Sequence, residues 1–398
     1  MDSVSRASAC RTASWCWTRN GDDLTQTREG AKNLDGFWTI VHRLFSNLLF
    51  VLRACAPSRE TFGCATIAFT LLLFGGLSAY AEEAKVGPAQ PDPAKVVGPD
   101  QCAKCHQPEV QQWMRTPHFA TFDTLHRKPR AKEIAGKLGV QSIKRSDICT
   151  QCHYTSQNQE GSKRVVAGVS CESCHGGALG WLTMHSDYGG AGVTRATESA
   201  EHRTKRVNDS VGQGMNNPHN IYLIARQCYD CHTVPNEKLV NVGGHLAGSK
   251  DFELVSWSQG MVRHNFLRTG ETSNATLTPD ELRVMYVVGV MTDLEYSLRA
   301  VAGATEKATF GVTSAQRAAR MKKRLNEIET ATSDPLVQEA LNSVATVELR
   351  LGNKNAINAA ADGVGKAAQE FAEKADGRKL SAIDPMLPTP NTYKNAAL

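Results

Sequence analysis

Beyond Cys231 the chain has no cysteine, and beyond His264 it has no histidine. The last third therefore offers no thiol or imidazole for metal chemistry. No charge of one sign dominates: the formal net charge is +5 over 398 residues. Local basic clusters exist at Arg127-Lys-Pro-Arg-Ala-Lys132 and Arg203-Thr-Lys-Arg206. They read as solvated faces or partners for cofactor carboxylates, so no nucleic-acid partner is expected. The clearest apolar run, Cys64 to Leu77, is shorter than the roughly 20 residues that a membrane span needs. Methionine is sparse, and residues 101–270 contain few long amphipathic runs. An ordinary helix-packed core is not expected there.

What that region does hold is one pattern repeated four times. The copies are Cys102-Ala-Lys-Cys105-His106, Cys149-Thr-Gln-Cys152-His153, Cys171-Glu-Ser-Cys174-His175 and Cys228-Tyr-Asp-Cys231-His232. Cys-x-x-Cys-His is the attachment site of c-type haem. The two thiols form thioethers to the porphyrin edge, and the adjacent histidine reaches the iron. Zinc also uses Cys-x-x-Cys pairs, but it does not require histidine at the next position. With 12 histidines in the chain, four such placements at random have a probability of roughly one in a million. Disulfides leave the repeated histidine equally unexplained. Four covalently bound c-type haems are expected. The other four cysteines, Cys10, Cys16, Cys55 and Cys64, all lie near the N-terminus.

Such attachment is coupled to export, and residues 59–81 carry an export pattern: Arg59, the apolar run, then Ala79-Tyr80-Ala81 as an A-x-A cleavage site. The expected mature start is Glu82, and the expected location is the periplasm. The pattern sits far from Met1. Residues 1 to about 50 are therefore expected to be a gene-model artefact. The rival expectation is an uncleaved N-terminal anchor using the second apolar patch, Phe37 to Leu52. Membrane association is expected only in that case.

The remaining chain divides by composition. Residues 82–100, with Pro88, Pro91, Pro93 and Pro99, read as an extended linker or arm. Residues 101–271 form the tetrahaem domain, with short helices carrying the motifs, as at Pro108 to Phe122. Residues 272–380 read as a bundle of three or four helices. Thr278-Pro279-Asp280-Glu281 is a helix start, and Leu282, Met285, Val288 and Leu294 recur at helical intervals. Further helices are predicted over Ser314–Ala331, Pro335–Leu351 and Ala356–Ala375, with Gly352 and Gly377 as stops. Residues 381–398 are expected to be irregular. The fold class is mainly α: an irregular multihaem c-type cytochrome domain, its short helices packed on four haems, followed by a C-terminal helical bundle.

The group opposite each motif histidine decides the chemistry. A second histidine closes the iron and favours electron transfer; an open position admits a substrate. Seven histidines outside the motifs are available: His118, His126, His185, His202, His219, His245 and His264. Met184 and Met261 are the nearest methionine alternatives. The 22 residues from Cys149 to Cys171 are expected to hold the second and third haems near each other.

Residues Gln101–His232 resemble the tetrahaem cytochrome c-554 family, known from ammonia-oxidising bacteria. The resemblance rests on Thr116-Pro-His118-Phe-Ala-Thr121 after the first motif, Asp147-Ile-Cys149 at the second, and Arg226-Gln-Cys228 at the fourth. Its most specific element is Gly168-Val-Ser-Cys171-Glu-Ser-Cys-His-Gly176 with His185 soon after. The resemblance implies crossed ligation: His118 opposite His175, and His185 opposite His106. It implies a downstream histidine for the fourth haem, with His264 preferred to His245. It also implies that the second haem, at His153, has no sixth protein ligand, although His219, His245 or His126 could fill that position. The helical region has no counterpart in the family.

The expected function is electron transfer between a donor and an acceptor redox protein, in the family's case in nitrogen-compound oxidation, rather than catalysis. The alternative is an enzyme that reduces a small oxide such as nitric oxide at an open haem beside His153. All four motifs keep their histidine, and no lysine replaces one, which argues against a nitrite-reductase-like site.

Overall fold

The computed structural model describes residues 90–249 and 251–395. The export segment 59–81, the apolar patch 37–52 and the question of residues 1–50 lie outside the described residues. The described chain is mainly helical.

The motif-bearing part opens with short helices, α1 (Pro99–Ala103), α2 (Gln107–Trp113), α3 (Pro117–Thr124), α4 (Pro129–Lys137) and α5 (Asp147–His153). Proline stands in the first turn of α1 to α4, where its missing N–H costs nothing. An antiparallel hairpin follows, β1 (Thr155–Gln159) and β2 (Ser162–Ala167), with Gln159 opposite Ser162. Its turn residues Glu160 and Gly161 have φ of 51° and 75°, the left-handed pair that suits the twist of a two-residue hairpin loop. This hairpin was not expected from the sequence, because its strands are polar and lack apolar alternation. Then come α6 (Cys171–His175), α7 (Ala200–Gly212), α8 (Ile221–His232), α9 (Glu237–Asn241) and α10 (Leu254–Ser258).

Residues 95–98, expected as part of an extended arm, are pinned down. Val97 and Gly98 donate backbone N–H groups to the Glu172 carboxylate at 2.9 and 2.8 Å, and Val96 is buried.

The C-terminal helices are α11 (Pro279–Gly303), α12 (Thr309–Thr332), α13 (Pro335–Ser343) and α14 (Lys354–Lys374). Thr278 and Glu281 form a reciprocal capping box at the start of α11, satisfying two orphan N–H groups. From Met285 to Leu298, α11 is buried on nearly every side, as a central helix must be. Against it, α14 presents Ile357, Ala360, Ala361, Val364, Ala368 and Phe371, a 3.6-residue stripe with small members that permits close approach. Helix α13 ends at Ser343, not Leu351, and Lys322 caps the Val344 carbonyl at 2.8 Å. After Gly377 a 3₁₀ segment continues to Met386 and buries Leu380 and Ile383, so the core extends into residues expected to be irregular.

One core joins the last motif to these helices. Tyr222, Ala225 and Tyr229 of α8, with Phe252, Leu254 and Val255, share a cluster with α11, α12 and α14. Tyr222 donates to Glu295 at 2.9 Å. Arg317 of α12 pairs with Asp293 of α11 at 2.6 Å, both nearly buried, and also donates to the Ser249 carbonyl at 3.2 Å. Asp293→Ala would leave the guanidinium buried and uncompensated. It is expected to cost about 3–5 kcal/mol, read by urea unfolding; a loss below about 1 kcal/mol would show a solvent-compensated pair.

Candidate functional site

Each motif sits on or at the end of a short helix. In a helix, positions i, i+3 and i+4 share one face. The two thiols and the histidine therefore project together from α5, α6 and the last turn of α8. In the first motif the helix breaks after Ala103, and His106 becomes the N-cap residue of α2.

Opposite each motif histidine stands a second histidine. Ring centres are 6.2 Å apart for His106 and His185, 6.3 Å for His153 and His245, 6.1 Å for His175 and His264, and 6.3 Å for His232 and His118. Two imidazoles bound to one metal from opposite sides, each at about 2 Å through a ring nitrogen, have centres about 6.3 Å apart. All four spacings fit one iron. Among the described residues no group of three or more His, Cys, Asp or Glu converges on a metal-sized site; the arrangement is of pairs.

Burial tunes five of these rings. It pushes His153 and His175 down to about 4 and His232 to about 3, the facing histidine adding to the effect. Burial also lowers His118 and His185. The neutral ring, which has the lone pair a metal needs, is the form held at neutral pH. Backbone carbonyls set the tautomer. The Nδ1 of His175 meets Asn216 O at 3.2 Å, His185 meets Trp181 O at 3.3 Å, His245 meets Leu246 O at 2.9 Å and His264 meets Val262 O at 2.6 Å. A carbonyl only accepts, so Nδ1 carries the hydrogen and Nε2 is left free.

The scaffold explains the most specific sequence element. A Cβ on Gly168 would stand 2.3 Å from the His118 carbonyl, and Val169 donates its N–H to that same carbonyl at 3.1 Å. Trp113 donates to Val169 O at 2.8 Å. Segment 168–169 thus locks the start of α3, where His118 sits. Gly176 has φ of 84° and a Cβ there would meet Gly214 O at 2.1 Å. Glu172, 1% exposed, accepts from Val97, Gly98 and Ala178 and holds the first motif against the third. The thiols of Cys102 and Cys171 are close neighbours, as are those of Cys152 and Cys231. Cys174 lies near Cys228 and Cys231. In space the motifs therefore run first, third, fourth, second. The second and third are still joined through Thr155, which bonds Ser170 and Ser173 at 2.8 and 2.9 Å.

Several sequence expectations change here. His185 faces His106 as expected. His118 faces His232, not His175, because α3 is clamped by segment 168–169 and directed at the end of α8. His264, preferred for the fourth motif, faces His175, and its loop is cross-linked by Asn274 Nδ2 to Arg263 O at 2.7 Å and Asn265 Nδ2 to Ala275 O at 3.0 Å. His245 faces His153, whose far side was expected to be open. Arg130 holds its loop through the Gly244 carbonyl. His202 pairs with Glu198 instead, and His126 and His219 make no ring contact with a motif histidine among the described residues. Two contributors were missed. Glu109, three residues after His106, carried only helix spacing as a signal; Arg317, remote in sequence, carried none.

Residues 101–176 match the family model for "Cytochrome c554 and c-prime". Cytochrome c-554 of Nitrosomonas europaea is 27% identical over 143 residues, covering 34% of this chain and 56% of that protein. The alignment thus spans little more than half the length of that curated relative. No solved structure matches significantly. Three of the four motifs and the flanking glycines lie within the segment that the family model matches, and the chain is related to the cytochrome c-554 family.

Proposed function

We propose that this chain is an exported tetrahaem c-type cytochrome that carries electrons between redox protein partners. The observation that carries the reading is the second histidine facing every motif histidine at 6.1–6.3 Å. Cys102 and Cys105, Cys149 and Cys152, Cys171 and Cys174, and Cys228 and Cys231 would anchor the four groups. His106, His153, His175 and His232 would ligate them on one side, and His185, His245, His264 and His118 on the other. A bound haem iron supplies reversible one-electron chemistry. The protein's part is to hold both imidazoles of each pair opposite one another, and to bring the motifs within contact of one another. Partners would be a donor and an acceptor protein; the resemblance to the cytochrome c-554 family, known from ammonia-oxidising bacteria, makes nitrogen-compound oxidation the natural setting. Export to the periplasm follows from the segment at 59–81. No helix among the described residues is long and apolar enough to cross a membrane.

The position of His245 opposite His153 argues against small-oxide reduction, since that chemistry needs this side open. In the oxidised holoprotein, electron paramagnetic resonance is expected to show low-spin centres only, with four haems per chain by pyridine haemochrome assay. A high-spin signal that responds to nitric oxide would overturn the carrier reading in favour of catalysis.

The pairing is tested separately. His245→Ala is expected to convert one haem to high spin, while His126→Ala leaves the spectrum unchanged. Equal behaviour of the two variants would refute the His153–His245 pair.

A further inference from the structure

Four of the paired histidines turn Nδ1 toward a neutral backbone carbonyl. His106 differs: its Nδ1 lies 4.0 Å from Oε2 of Glu109, a side chain only 11% exposed. Both carboxylate oxygens of Glu109 are buried, and neither has a hydrogen-bond partner. A buried carboxylate without a donor is costly. Among the described residues its only ion-pair partner is His106. The sequence builds this juxtaposition locally. His106 is the N-cap residue of α2 and Glu109 stands three residues on, where a Glu side chain turns back over the cap. With Nε2 committed to a metal, Nδ1 must carry a hydrogen and point outward, toward this carboxylate.

We propose that Glu109 is a positioning residue that orients the His106 ring and makes the iron it would hold harder to reduce than a carbonyl partner would. A carboxylate 4.0 Å from Nδ1 places negative charge beside the ring and beside the metal that the ring would hold. That charge favours the oxidised iron, and the surroundings of a ligand are one of the protein's means of setting potential. The inference rests on the haem reading above.

The test is a spectroelectrochemical titration of the holoprotein and its Glu109→Gln variant, which keeps shape and removes charge. One of the four redox components is expected to move to higher potential while three stay in place. In a His185→Ala background, the component that moves is expected to carry the high-spin signal, since that substitution opens the His106 site. No movement, or equal movement of all four, overturns the proposal. Should Glu109→Gln fail to accumulate, Glu109→Asp, which keeps the charge but withdraws it, is expected to give a smaller positive shift; an unchanged titration there also overturns it. Wild-type protein without covalent haem would instead remove the reading on which the proposal depends.

Discussion

The opposition of two imidazoles across a gap of metal-ligand width is the constraint around which the motif-bearing part is organised. One ring of each pair comes with the attachment motif and, in three of the four, is positioned by a helical turn. The other must be delivered from elsewhere, at the right distance and in the neutral form. Burial favours the neutral form at His118, His153, His175, His185 and His232, and carbonyl oxygens on Nδ1 provide orientation at four of the rings. The loops that present His245 and His264 are accordingly tied down by side-chain bonds to backbone, through Arg130 and through Asn265 and Asn274. A loop free to fray could not hold a ring to this tolerance.

The helical region is part of the same construction. Helix α8 carries the fourth motif on its last turn and buries Tyr222, Ala225 and Tyr229 against α11 and its neighbours. Phe252 stacks on His232 with ring centres 4.1 Å apart and belongs to the same cluster. Arg317 reaches from α12 past its partner Asp293 to the segment at Ser249. The helices therefore form the wall of the site at His232. Their lack of cysteine and histidine fits a role in support.

Much of the fold was legible because its causes are local. The capping sequence at Thr278 to Glu281, the apolar period of α11 and α14, and the prolines opening α1 to α4 act within a few residues. The hairpin at 155–167 was not legible, since its polar strands are held by Thr155, Ser170 and Ser173 and by the left-handed turn at Glu160-Gly161. The exact end of α13 depended on Lys322, which reaches its terminal carbonyl from another helix.

The sequence by itself determined the attachment chemistry, because two thiols and an imidazole within five residues stay close together, on one helical face in three of the motifs. It also determined that histidines would outnumber the motifs. Which histidine meets which motif was decided only by tertiary structure. That choice depends on how Gly168 lets the chain press against the His118 carbonyl, how Glu172 draws residues 97 and 98 to the third motif, and how α8 docks on the C-terminal helices. None of these contacts is encoded by spacing along the chain. Each joins segments far apart in sequence, where only the balance of packing and hydrogen bonding in the folded molecule selects a partner.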